Sequence, residues 1–161
     1  MKGQEPKTFE EILELQKIHD SNMNHTRERN LIDIKLSMIA EIIEFNEETK
    51  DSHKTWKTKE YNSEKELEEL TDIFFFFAQW INNSYDSKCV HILEKIFHFN
   101  DTGYADIYLL ISNVTRDPIE QVLVTLMKIV HKYGYTKDDI LKTYWKKWQY
   151  NMSERLGKEW N

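Results

Sequence analysis

The sequence predicts an all-α protein, a helical bundle forming one domain over residues 1–161, on three observations. Gly 4 and Pro 2 make only six structure-breakers, far below average usage, which argues against a turn-rich sandwich or barrel. Apolar residues make up 40% of the chain, enough to bury a sizeable core in a single domain. Helix-start signatures recur along the chain, with apolar positions at helical spacing behind them.

Thr8-Phe9-Glu10-Glu11 fits a capping box, in which hydroxyl and carboxylate satisfy the free amides of a first turn, so a helix is expected over 8–24. Apolar periodicity predicts a second over 30–51. Ser63-Glu64-Lys65-Glu66 repeats the capping box and starts a third over 63–85, with two further helices near 88–98 and 104–115. Asp117-Pro118-Ile119-Glu120 puts proline at the first helical position behind an aspartate cap, and Gly134 ends that helix, 117–133, in a left-handed residue. Thr136 caps the last helix, 137–156. The joins are short and polar, and the loosest, Asp51 to Asn62, is basic and carries Trp56. No repeat, low-complexity run or interdomain linker occurs.

Charge and cysteine usage narrow the partners. The segment from Lys128 to Asn161 carries +4 and the rest of the chain −10. Such an acidic body excludes broad binding to nucleic-acid phosphates, while a small anionic ligand could still meet the basic segment. The longest apolar stretch, Ile73 to Ile81, contains Gln79 and is far short of the roughly 20 residues of a membrane span, so no membrane is implied. Cys89, the one cysteine, has no disulfide partner in the chain and is expected to be a packed thiol. No apolar signal-peptide core follows Met1-Lys2-Gly3-Gln4-Glu5, so a cytoplasmic location is expected.

The chemistry is expected where acids interrupt apolar helices. On a helical wheel the 30–51 helix is apolar on two sides, one of Leu36, Ile39, Ala40 and Ile43, the other of Ile34, Met38, Ile42 and Phe45, and it is expected to be buried. Asp33, Ser37, Glu41, Glu44 and Glu48 share a notch about 80° wide, with Glu41 and Glu44 neighbours at i, i+3. Like charges held at low dielectric need protonation, a cation or a metal. Glu69 and Asp72 form a second pair on the 63–85 helix, just before Ile73-Phe74-Phe75-Phe76-Phe77. If the two helices run antiparallel, an E-x-x-E faces an E-x-x-D and four carboxylates meet. An all-oxygen set without the Glu-x-x-His of di-iron bundles favours hard Mg²⁺ or Mn²⁺. A solvated charged face is the alternative. Gln16 and Asp20 face inward on the first helix and either read the edge of a base or are satisfied by neighbouring backbone. Trp56 either stacks on a base or covers the core, and Lys54 and Lys57 beside it meet phosphate or water. H-x-x-x-H, G-x-x-x-x-G-K and G-x-S-x-G are absent, which disfavours zinc, phosphate-loop and serine-hydrolase chemistry.

The order of these features resembles a known family. Leu15-Gln16-Lys17-Ile18-His19-Asp20, then Glu41-Ile42-Ile43-Glu44 with His53-Lys54-Thr55-Trp56-Lys57, then Glu68-Glu69-Leu70-Thr71-Asp72-Ile73, and finally Tyr144-Trp145-Lys146-Lys147 with Asn151, resemble the dimeric dUTPases. These are all-α enzymes related to the MazG-like nucleoside triphosphate pyrophosphohydrolases, and the likeness is to forms from Gram-positive bacteria and their phages. The resemblance implies a four-helix metal-carboxylate core and a Mg²⁺-dependent homodimer that hydrolyses dUTP to dUMP and pyrophosphate. It implies metal ligation by Glu41, Glu44, Glu69 and Asp72, base recognition at Gln16 and Asp20, and Trp56 near the nucleotide. Tyr144, Lys147 and Asn151 match a motif that helps to close over the substrate. Many members have asparagine where this chain has Asp20. Arg155 stands one residue beyond the family's usual arginine, followed by Leu156 rather than glutamine, and residues 86–116 match poorly.

The mechanism expected from these positions has the four acids hold Mg²⁺, which acidifies a water, while Glu41 or Glu44, with Glu41 preferred, takes its proton. Lys54, Lys57 and Lys147 hold phosphate and pyrophosphate. Two alternatives stand beside it. Asp20 could accept from a cytosine amino group, giving a pyrophosphohydrolase of dCTP or a modified nucleotide. Otherwise the chain is a non-enzymatic helical interaction protein whose acids set helix register.

Overall fold

A computed structural model describes residues 3–84 and 90–156, and Cys89 lies outside the described residues. The described residues form seven α-helices and no strand: α1 Phe9–Ser21, α2 Leu31–Glu48, α3 Ser63–Asn83, α4 Val90–His98, α5 Ile107–Arg116, α6 Ile119–Lys132 and α7 Lys137–Tyr150. A π-helical turn, Asn151–Arg155, continues α7.

Most helix ends follow the expected caps. Thr8 accepts from the Glu11 amide to start α1, and Thr136 and Asp139 form a reciprocal capping box on α7. Gly134 has φ +87°, and the amides of Gly134 and Tyr135 bond back to the carbonyls of His131 and Val130, closing α6 with a Schellman motif. Two caps differ from expectation. Asn62, not Ser63, caps α3 by accepting from the Glu64 and Lys65 amides. Glu66 is then free of capping and lies buried, accepting from the hydroxyls of Tyr61 at 2.7 Å and Tyr135 at 2.6 Å. Pro118 is itself the cap residue of α6 rather than its first helical residue, and Asp117 ends α5 while accepting from the Asn113 amide. α1 stops at Ser21, short of 24, because the Ser21 and Asn22 side chains both bond the Ile18 carbonyl. α5 starts at Ile107 because Asp106 accepts from the Leu109 amide.

α3 is the central helix. It packs against α1, α2 and α7, and these four form one layer, while α6 packs on α4 and α5 in a second layer that reaches the first through α1·α4 and α2·α5 contacts. The run of phenylalanines on α3 faces several neighbours at once. Phe77 meets Phe9 of α1, Phe74 meets Phe97 of α4, and Phe75 stacks on Tyr144 of α7 at 4.2 Å between centroids. Each fully buried aromatic contributes about 1.5–3 kcal/mol. A carboxylate from the second layer also caps the first: both Glu94 oxygens accept, at 2.9 Å, from the amides of Phe9 and Glu10.

Full burial of α2 is not observed. Its Ile34, Met38, Ile42 and Phe45 side is covered, but Ile32, Leu36 and Ile43 are 69%, 60% and 36% exposed. The helix has an inner apolar face and an outer one that no element among the described residues covers.

Candidate active site

α2 and α3 run antiparallel, since Arg29 and Ser37 lie level with Gln79 while Glu41 lies level with Glu69 and Asp72. The i, i+3 spacing on α3 and the inward side of α2 therefore bring carboxylates together. One oxygen from each of Glu41, Glu69 and Asp72 lies within 4.8 Å of the others. Glu41 Oε2 and Glu69 Oε2 are buried with no hydrogen-bond partner. Leaving a carboxylate oxygen dry and unbonded is costly. Burial first, then the charges of Asp72 and Glu44, pushes the Glu41 carboxyl up to about 8. Burial likewise raises Asp72 to about 6, opposed by the Lys147 ammonium 3.0 Å away. Lys65 lies 2.9 Å from Glu69. Three converging carboxylates with two orphaned oxygens and no nitrogen or sulfur donor fit a hard divalent cation.

The expected set of four is not gathered equally. Glu44 interacts with Glu41 but is exposed. Asp33 and Glu48, from the same notch, are instead paired at the surface, with Arg27 at 2.7 Å and Lys59 at 3.0 Å. Of the notch acids only Glu41 converges with the carboxylates of α3.

One helical turn from the carboxylates lies a polar network. Tyr144 donates to Gln16 Oε1 at 2.6 Å, and Gln16 Nε2 donates to Asp20 Oδ1 at 2.8 Å. Gln79 Nε2 donates to the same Asp20 oxygen at 3.0 Å, and Arg29 bonds Gln79 Oε1 and Ser37 Oγ. Asp20, Arg29 and Gln79 line a cavity of 440 Å³, inside the roughly 300–1,000 Å³ usual for small-molecule sites. Gln16 and Asp20 thus face inward as expected, satisfied by side chains rather than backbone.

The remaining positions are distributed differently. Tyr144 is fully buried and donates to Gln16. Lys147 joins the carboxylates. Trp56 is 73% exposed and does not cover the core. Lys54 pairs with Glu47, and Lys57 bonds the Glu47 carbonyl, one turn beyond Glu44. The basic loop is thereby pinned to the end of α2, helped by a bond from the His53 amide to Asn46. Asn151 opens and Arg155 closes the π-helical turn. Arg29, Lys65 and Gln79 were not singled out by the sequence. Only Gln79 left a signal, as the one polar residue in the Ile73 to Ile81 run.

No helix among the described residues is long and apolar enough to cross a membrane. No curated protein matches the chain. The dUTPase family profile, however, matches residues 8–158, which takes in α1, the carboxylates of α2 and α3, and the turn after α7. An all-helical fold with carboxylates converging on its central helix, together with that match, shows that the chain belongs to the all-α dimeric dUTPase family and is a dUTP diphosphatase, hydrolysing dUTP to dUMP and pyrophosphate.

Proposed function

We propose that dUTP hydrolysis here uses Mg²⁺ held by Glu41, Glu69 and Asp72 with Glu44 as the fourth carboxylate, and that the base enters the cavity beside Asp20. The observation that carries this reading is the pair of orphaned oxygens, Glu41 Oε2 and Glu69 Oε2, with a cavity lined by Asp20, Arg29 and Gln79 further along the same helix pair. Ser37 precedes Glu41 by four residues and Asp72 precedes Gln79 by seven, roughly 6 and 10 Å along the helices. That separation suits a nucleotide with its base at one level and its phosphates at the next.

Bound there, Mg²⁺ supplies positive charge to phosphate oxygens and acidifies water. Glu41 accepts the proton of the attacking water, its Oε2 being buried with no hydrogen-bond partner of its own. Glu44 is the alternative base. Lys147, released from Asp72, holds a phosphate, and Lys54 and Lys57 hold the far phosphates or pyrophosphate. Trp56 flanks the nucleotide. Asn151 and Arg155, on the π-helical turn, close over it, while Tyr144 keeps Gln16 in place. The enzyme works in the cytoplasm as a homodimer whose interface includes the uncovered Ile32, Leu36 and Ile43 strip of α2. Sedimentation of Leu36→Glu as a monomer, beside a dimeric wild type, is the expected result.

A second reading, hydrolysis of dCTP, is favoured by one observation: Asp20 is a carboxylate, which accepts from a cytosine amino group as readily as from a uracil imide. Pyrophosphate release from dUTP, dCTP, dTTP and UTP, with Mg²⁺ and with EDTA, tests both. Mg²⁺-dependent release from dUTP alone is expected; release led by dCTP transfers the assignment, and release that survives EDTA removes the metal.

A further inference from the structure

Gln79 sits on an apolar stretch of α3 at 8% exposure, where an amide persists when both of its ends are bonded. Both are. Its Oε1 accepts from Arg29 Nε at 2.7 Å. Arg29 is itself anchored by Ser37 Oγ at 2.8 Å and lies over the Phe76 ring. A guanidinium only donates, so the amide sense of Gln79 is determined and its Nε2 faces Asp20 Oδ1 at 3.0 Å. Across the pocket Gln16 Nε2 donates to Asp20 Oδ1, while its Oε1 accepts from the Tyr144 hydroxyl, which also reaches the Ile12 carbonyl at 3.4 Å. Two amides thus converge on one oxygen of Asp20, with His19 Nδ1 3.2 Å from the same atom. None of these bonds uses Oδ2.

We propose that Gln79 is a positioning residue for base selection, holding the Asp20 carboxylate at one torsion so that Oδ2 meets the base at one point, with Arg29 holding Gln79. This rests on the reading that the cavity beside Asp20 takes the base. Uracil offers its ring N3–H and cytosine its exocyclic amino group, and a carboxylate accepts from either. The two donors occupy different points on the base edge, so selection between them needs an acceptor that does not turn. Without Gln79, Oδ1 keeps only Gln16 and His19, and the carboxylate is freer to swing toward the second donor.

The test is steady-state kinetics of the full chain with Mg²⁺ on dUTP and dCTP, for wild type, Gln79→Met, Arg29→Met and Asp20→Ala. Gln79→Met is expected to narrow the dUTP-over-dCTP ratio of kcat/KM about tenfold, chiefly through KM. Arg29→Met is expected to move the ratio in the same direction by less, and it carries the test if Gln79→Met does not fold. Equal losses on both nucleotides, or an unchanged ratio, overturn the proposal, because a packing role weakens both substrates alike. Asp20→Ala separates the two levels of the claim. If it leaves both KM values unchanged, the base is not in this cavity and the reading and the proposal fall together; if it raises KM for dUTP while Gln79→Met keeps the ratio, the positioning role alone falls.

Discussion

The two levels of the α2–α3 pair solve opposite problems. At the lower level Gln16, Asp20, Gln79, Arg29 and Tyr144 are buried or half-buried and bonded to one another at 2.6 to 3.0 Å. At the upper level Glu41, Glu69 and Asp72 repel one another, and two of their oxygens have no partner. A bonded network is rigid, whereas crowded carboxylates with unbonded oxygens are destabilising unless protonated or met by a cation. The difference teaches that one helix pair can hold both a network that is already satisfied and still and a cluster whose energy falls when positive charge is delivered.

The largest expected effect comes from breaking the upper level. Glu41→Gln should lower kcat/KM for dUTP on the order of 10²–10³-fold, while the metal-free protein becomes more heat-stable than wild type because one buried like charge is gone. A calorimetric melt and a rate assay on the same sample check both halves, and a destabilised variant would show that the cluster is not strained. Tyr144→Phe attacks the lower level. It leaves Gln16 Oε1 buried without its donor, so a stability loss of about 1–3 kcal/mol is expected, with KM for dUTP raised more than kcat is lowered. Loss of kcat alone would place Tyr144 with the reacting groups instead.

The pH response sharpens the contrast. Glu41 is raised from 4.5 to about 8 and Asp72 from 3.8 to about 6. Between the ordinary and the raised values the folded state holds more protons than the unfolded one, so stability from these groups is complete below about pH 4 and is lost as pH rises to 8. The difference in melting temperature between wild type and Glu41→Gln, without metal, should therefore widen from pH 5 to pH 8. Added Mg²⁺ should close it progressively. The smallest effect is expected away from both levels: Gly134→Ala forces a left-handed alanine at φ +87°, about 1–2 kcal/mol, with kcat and KM unchanged.

Much of this molecule is legible without coordinates because its signals are local. A cap and the helix behind it lie within a few residues of each other, so Thr8, Thr136 and Gly134 mark their helix ends directly. The caps expected at Ser63 and Asp117 are each one residue from the observed Asn62 and Pro118, since backbone dihedrals choose between adjoining residues. The carboxylates were legible for the same reason, since i, i+3 spacing alone puts Glu41 beside Glu44 and Glu69 beside Asp72. Arg29 and Gln79 were not, because fifty residues separate them and their bond exists only once α2 and α3 pack.

By itself the sequence determined the helical class, the number and order of helices, and the acid pairs on the second and third helices, because these follow from periodicity, capping and side-chain spacing. Only the tertiary structure decided which apolar side of α2 is covered, which acids lose their water and which stay wet, and which oxygen of Asp20 is held. Those are matters of dehydration and mutual orientation, and both are set by what a neighbouring helix places against a residue rather than by the residue itself.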